Sequence, residues 1–437
     1  MVLNGKPTKR KRRRPEVSDK DEEIDSDEAE LDSGEEGGGV GEEGGSVKEE
    51  GEELNETVAE KRLRLAKKYL SDLGVDEEDS EDAEELEEVT RRDIGLTIRD
   101  IADGIASSKL TVSVRHKAHR LSPCCVDLTP NADFAVSGGK DRRVNLWDVE
   151  TCKAVTTFEG GDTHLQAKDS KGHVKSVLAV AVTDDGKLVA SGGEDHLVRI
   201  WDVRKKGAVH SFPGHRKTIT SLCFRHGSKQ LVSASNDRTL KMFDLDEMAY
   251  VETLFGHGAE VISVDALSRE RYLSGGMDGS LRLWKIAESS QIVFKSPAQS
   301  IDAVACIEDS LFFTGASDGS LSLWGINRKK PLHTHFIEDS NPNKSITSVA
   351  ACSHSDLCAS GLQNGRLSIW KAGGGKAQRT LDEVLNIDLG GSVNSIKFGR
   401  SGKVLAVATG QEHRLGRWSK APSWKANAIR FLSFAES

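Results

Sequence analysis

From about residue 105 onward, short alternations of apolar and polar positions are broken by Gly and Asp turns, the pattern of half-buried strands. One frame recurs seven times. It reads "SGGKDRRVNLWDV" (137–149), "SGGEDHLVRIWDV" (191–203), "SASNDRTLKMFDL" (233–245), "SGGMDGSLRLWKI" (274–286), "TGASDGSLSLWGI" (314–326), "SGLQNGRLSIWKA" (360–372) and "ATGQEHRLGRWSK" (408–420). In each, a Trp or Phe stands six residues after an acidic or Asn turn residue. These anchors are Trp147, Trp201, Phe243, Trp284, Trp324, Trp370 and Trp418, spaced by 54, 42, 41, 40, 46 and 48 residues. A four-stranded blade takes about 40–45 residues, so each repeat predicts one blade. The wide first gap holds "EGGDTHLQAKDSKG" (159–172), which reads as a loop insertion.

A lone sheet of this size cannot bury both faces. Seven stacked around an axis bury them against one another and leave only short edges. The expected fold is therefore all-β, a seven-bladed propeller over residues 105–437. Closing the ring needs a strand from the other end of the chain. "LTVSV" (110–114) is the candidate outer strand of the last blade, and "AIRFLSF" (428–434) competes for that edge.

Residues 1–104 read as a charged, mostly disordered tail. Residues 16–55 are acidic and rich in Gly and Ser, with too few apolar groups to offset the entropy of ordering. "ETVAEKRLRLAKKYLSDLG" (56–74) differs: strong helix formers end at a Gly, with Leu63, Ala66, Leu70 and Leu73 at helical spacing. A free helix this short is marginal in water. Its stripe predicts docking on a partner, with packing back on the body as the alternative. "KPTKRKRRRP" (6–15), with Lys9, Arg10, Lys11, Arg12, Arg13 and Arg14, reads as a nuclear localisation signal, with nucleic-acid contact or a plain solvated charge run as the alternatives.

Charge is uneven along the chain. Residues 1–100 carry 17 Lys+Arg against 33 Asp+Glu, a net of −16, and the rest carries +7. An acidic tail on a mildly basic body fits a body that meets a polyanion. The seven cysteines include no CxxC pair, and no hydrophobic signal segment opens the chain. That points to a reducing intracellular compartment and away from a zinc site. "VLAVAV" (177–182), the longest apolar run, is far too short to cross a bilayer. No metal or cofactor is expected.

Four repeats contain the residue types of a serine hydrolase triad: His119/Ser137/Asp141, His173/Ser191/Asp195, His215/Ser233/Asp237 and His257/Ser274/Asp278. Four copies at fixed spacing argue for a buried hydrogen-bond network instead, because an active site is built once. No Gly-rich phosphate loop or HExxH motif accompanies them. The expectation is a protein without catalytic activity.

These repeats resemble WD-repeat β-propellers. Gly172-His173, Gly214-His215 and Gly256-His257 stand 27 or 28 residues before their aromatic, and His119 stands 28 before Trp147. The resemblance implies that Asp, His, Ser and the strand aromatic link turn to strand within a blade. It also puts the Asp turns and His loops on one rim, here called the upper. Arg142, Arg143, Arg216, Lys217, Arg238, His413 and Arg414 are the candidate contacts there for RNA or a partner. The lower rim takes "RKK" (204–206), "RKK" (328–330), Arg269 and Arg271. Ordinary solubilising charge is the competing reading for any one of them. Aromatics are only 5% of the chain, which favours backbone or shape recognition, or protein contacts, over base readout.

Three stretches narrow the resemblance: "EKRLRLAKKYLSDL" (60–73), "YVETLFGH" (250–257) with "DALSRER" (265–271), and "GQEHRLGRW" (410–418). Together they resemble the WD-repeat proteins of the U3 small nucleolar ribonucleoprotein. That resemblance implies a nuclear, nucleolar protein with no membrane association. Its implied partners are U3 small nucleolar RNA, the box C/D core proteins including the kink-turn-binding protein, and pre-ribosomal assembly factors. The implied role is in pre-rRNA processing and small-subunit biogenesis. The alternative is a nuclear WD-repeat adaptor reading a histone tail or a degradation signal. Such an adaptor needs an open central pocket, often with an Arg cluster.

The last repeat is atypical. Glu412 stands where Asp is usual, and Gly390 replaces the upstream His. Blades five and six also lack that His, with Pro297 and Pro342 near its place. The polar run Gln411–Arg414 has no evident internal partner, so it reads as a contact turn on the upper rim beside the closure seam.

Overall fold

The computed structural model describes residues 98–435, apart from 117, 163–169, 206, 267–268, 338–343, 374–378 and 417–426. The expected localisation signal, acidic tail and docking helix (Leu63, Leu70, Leu73) lie outside these residues, as does Trp418.

Seven four-stranded antiparallel sheets are present among the described residues. Blade 1 runs outward through Pro123–Leu128, Phe134–Gly139, Val144–Asp148 and Lys153–Phe158. The innermost strands of blades 2 to 7 are Val177–Val182, Ile219–Phe224, Val261–Ala266, Ile301–Glu308, Ile346–Ala351 and Ser392–Phe398. Each touches the innermost strand of the next blade, and that of blade 7 returns to blade 1. Side chains stitch these seams: Thr220 Oγ donates to the Val261 carbonyl at 2.7 Å, and Ser395 Oγ to the Val126 carbonyl at 3.3 Å.

Seven apolar clusters fill the seven gaps between blades. Trp201 of blade 2 packs into the cluster it shares with Val136, Leu146 and Phe158 of blade 1. Trp370 of blade 6 joins Phe313 and Leu323 of blade 5 in the same way. Close approach at these seams excludes larger side chains. A Cβ on Gly138 would stand 2.7 Å from Val177 of the next blade, and one on Gly315 would stand 2.4 Å from Ile346.

Lys109–His116 is the outermost strand of the last blade, as expected of "LTVSV". Lys109–His116 and Ala428–Ala435 do not compete; they pair with each other in one sheet. Blade 7 runs Ser392–Phe398, Val404–Gly410, Ala428–Ala435, Lys109–His116 from centre to edge. The frame assigned to "ATGQEHRLGRWSK" is also corrected. The third strand begins at Ala428, so Trp418, which precedes it in the chain, is not its anchor. Leu432 faces Leu405, the pairing that Trp147 makes with Ala135 and Trp370 with Cys358. Leu432 is buried against blade 6. Val407 holds the place of the network serine, so no hydroxyl is available there.

The body also begins earlier than the expected start at residue 105. Arg99 bridges to Ser355, and Arg99 Nη2 donates to the carbonyls of Ser353 and Arg400 at 3.0 and 2.8 Å. A short helix, Ala102–Ser107, follows. Asp356 Oδ1 accepts from the amides of Ile101 and Ala102 ahead of it, at 2.8 and 3.1 Å. Ala102 and Ile105 pack between blades 6 and 7.

Candidate nucleic-acid interface

The four His/Ser/Asp groups form the network expected of them. In blade 2, His173 Nδ1 lies 2.7 Å from Asp195 and Nε2 lies 2.6 Å from Ser191 Oγ, which accepts from Trp201 Nε1 at 2.7 Å. Blade 1 repeats this with His119, Asp141, Ser137 and Trp147 at 2.8–2.9 Å. Blade 4 repeats it with His257, Ser274 and Trp284, and a longer 3.3 Å contact to Asp278. Blade 3 has Asp237, His215 and Ser233, and ends at Phe243, which has no donor to give. Ser137, Ser191, Ser233 and Ser274 are fully buried, so no substrate reaches them as nucleophiles. Burial alone would raise the Asp141, Asp195 and Asp237 carboxyls. Hydrogen bonds and charge from the paired histidines, together with neighbouring amides and side chains, outweigh it and hold them below the usual carboxylate range. Blades 5 and 6 keep only the last link, Trp324 to Thr314 at 2.9 Å and Trp370 to Ser360 at 2.8 Å.

The Asp turns all need a left-handed residue after the Asp or Asn. Blades 4, 5 and 6 supply Gly279, Gly319 and Gly365 there, with φ of 66°, 85° and 99°. Blades 1, 2 and 3 instead hold Arg142, His196 and Arg238 at φ of 69°, 66° and 70°. A side chain in this region costs about 1–2 kcal/mol relative to glycine. The sequence therefore keeps a strained side chain on three neighbouring turns of one rim.

The structure separates the expected rim cations by what holds them. Arg142 Nη1 donates to the Gly161 carbonyl at 3.3 Å, and Arg143 pairs with Glu159 at 2.7 Å. Lys217 reaches Glu260 at 3.5 Å. Arg216 and Arg238 are exposed, and neither side chain has an ion-pair or hydrogen-bond partner among the described residues. Both flank Asp237, which accepts from the Arg216 amide at 3.0 Å and from the Thr239 amide at 3.0 Å. On the lower rim, Arg269 is paired with Asp309 at 2.9 Å.

His413 and Arg414 do not stand on the rim as expected. Their turn folds inward over the channel mouth. Ser122 Oγ and Asn394 Nδ2 donate to the Glu412 carbonyl at 3.0 and 2.9 Å, and Lys140 Nζ donates to the His413 carbonyl at 2.8 Å. Arg414 Nη2 reaches from blade 7 to the Ile262 carbonyl of blade 4, 3.2 Å away. Lys397, also from blade 7, points into the same channel, 3.6 Å from Asp265 of blade 4 and 4.0 Å from Asp127 of blade 1. The channel holds a cavity of 760 Å³ lined by the innermost strands and Arg414. Burial pushes the His413 ring down to about 4, helped by Arg414 and Lys140 beside it.

Sequence reasoning passed over Phe255. It ends the outer strand of blade 3, opposite Thr239, and is 71% exposed, more than any other large apolar side chain described. Its signal was a second aromatic-sized position after Leu254, immediately before Gly256-His257.

A seven-bladed propeller whose Asp, His, Ser and Trp side chains link turn to strand is a WD-repeat protein. Comparison with known proteins is more specific. A family model described as Nucleolar protein 10-like, N-terminal domain, matches residues 108–274. U3 small nucleolar RNA-interacting protein 2 of Mus musculus is 36% identical over 379 residues, covering 83% of this chain and 79% of the mouse protein. U3 snoRNP-associated protein-like YAOH of Oryza sativa subsp. japonica is 37% identical over 338 residues, 70% of this chain. The match spans 65% of the rice protein, just under two thirds of its length. A solved structure titled "Structure of U3-55K" superposes with a TM-score of 0.68 at 36% identity, over 74% of this chain and 98% of that one. The chain belongs to the U3 snoRNP-associated WD-repeat family.

Proposed function

We propose that the protein is a non-catalytic component of the U3 box C/D small nucleolar ribonucleoprotein. In this reading it works in the nucleolus, binds U3 RNA and the core proteins, and supports pre-rRNA processing and small-subunit biogenesis. The observation that carries the reading is identity over most of the chain to relatives named for U3, at 36% over 83% of the chain for the mouse protein. The four buried serines support a scaffold over a hydrolase. The upper-rim cations Arg142, Arg143, Arg216, Lys217 and Arg238 are the phosphate contacts in this reading, with Arg216 and Arg238 foremost because nothing among the described residues holds their side chains.

The test is pull-down of the tagged protein with RNA sequencing, repeated after deleting residues 56–74. U3 RNA is expected in the first, and weakened particle assembly with a folded propeller in the second. Unchanged assembly after the deletion removes the docking role of that segment. Absence of U3 from the intact protein removes the reading itself.

A further inference from the structure

We infer that the upper face of blade 3 is a stacking platform for an unpaired nucleotide, with Phe255 beneath the base and Arg216 and Arg238 on its phosphates. The inference rests on the RNA-binding reading above and assigns it a place and a contact chemistry.

Three independent observations meet at this face. First, Phe255 stands opposite Thr239 at the rim end of its strand with 71% of its surface exposed. The residue before it, Leu254, packs into the blade 3–4 cluster, the kind of apolar place filled by Phe158 and Phe212 in blades 1 and 2. The ring of Phe255 is therefore an addition to the blade, not part of its core. Second, Arg238 precedes Thr239 and sits in the left-handed region at φ 70°, where three other blades use glycine. Strain of this kind marks a side chain kept for its contacts. Third, Arg216 and Arg238 have no side-chain partner among the described residues, while the one carboxylate between them, Asp237, is saturated by His215, Thr239 and the Arg216 amide. Lys217 and Lys241 add positive charge, offset in part by Glu260 and by a Lys241 contact to the Tyr250 ring at 5.0 Å.

An exposed aromatic ring amid unpaired guanidiniums suits a flipped or single-stranded nucleotide. Every base offers a π face to the ring, and guanidiniums suit phosphate oxygens. A duplex hides its base faces and cannot use Phe255. The alternative occupant is an apolar anchor of a protein partner.

The experiment uses the full chain and a labelled, mixed-sequence single-stranded RNA of about ten nucleotides, titrated over a range of salt. Phe255→Ala is expected to weaken binding by about five- to a hundredfold, the loss typical of one stacked base. Phe255→Trp should hold or tighten binding, and Phe255→Leu should behave like Ala. The salt dependence should stay the same for all three. Arg238→Gly should leave the melting temperature unchanged or higher, yet reduce the slope of log K against log salt by about 0.7, one phosphate contact on a single strand. Equal binding by Phe255→Leu and Phe255→Trp, or no loss in Phe255→Ala, overturns the platform. So does a Phe255→Ala variant that binds RNA fully but drops a protein from the particle. Retained U3 capture by the wild type in those cases leaves the broader function standing. Failure of the wild type to capture U3 overturns that function instead.

Discussion

His413 shows how far position alone changes a side chain's chemistry. On an open rim it would titrate near its ordinary 6.5; tucked behind Arg414 and Lys140 it is held down to about 4, with burial the main cause. A histidine depressed in the fold stabilises it fully above pH 6.5, and that contribution is lost as pH falls through 6.5 toward 4. His257 is depressed by burial too and acts in the same direction. The melting temperature should therefore fall as pH drops from about 6.5 to 4, and His413→Gln should flatten part of that fall; a steeper fall in the variant contradicts the assignment. The carboxyls of Asp141, Asp195 and Asp237 are held low, so their share persists through this window and fades only in stronger acid, below the ordinary 3.8. The network itself was legible in sequence because four residue types recur at fixed spacing. Phe255 was not, because a Phe at a strand end reads the same whether it is buried, as Phe212 is, or exposed.

The strands of blades 1 to 6 could be read directly, since each carries its turn and aromatic in one frame. Blade 7 misled because Trp418 falls by coincidence six residues after Glu412. The second strand of that sheet ends at Gly410 and the third begins at Ala428, a spacing that no local pattern announces. The register makes Leu432 the anchor of that blade. Leu432→Ala should cost about 2–5 kcal/mol in chemical denaturation, the usual range for a buried leucine that leaves a cavity. A loss below about 1 kcal/mol would mean that the third strand is not the one assigned. The two terminal segments seemed rivals because each looked like an edge strand. In the sheet they are neighbours, one inside the other, and the ring closes by pairing Lys109–His116 with Ala428–Ala435.

Over the whole molecule, blade 7, which has neither the His–Asp pair nor the serine that blades 1 to 4 use, is braced through the channel. Arg414 and Lys397 both extend from blade 7 to one strand of blade 4, at Ile262 and Asp265. Arg414→Ala should therefore destabilise the propeller by about 1.5–3 kcal/mol, the range for a hydrogen bond to a charged group, while RNA binding per folded molecule stays the same. A rim contact would give the opposite result, with stability intact and binding lost. The most direct test of the central claim is crosslinking of the protein in cells followed by sequencing of the attached RNA. U3 small nucleolar RNA should dominate the recovered reads, and recovery of messenger RNA, or of no RNA, would contradict the account.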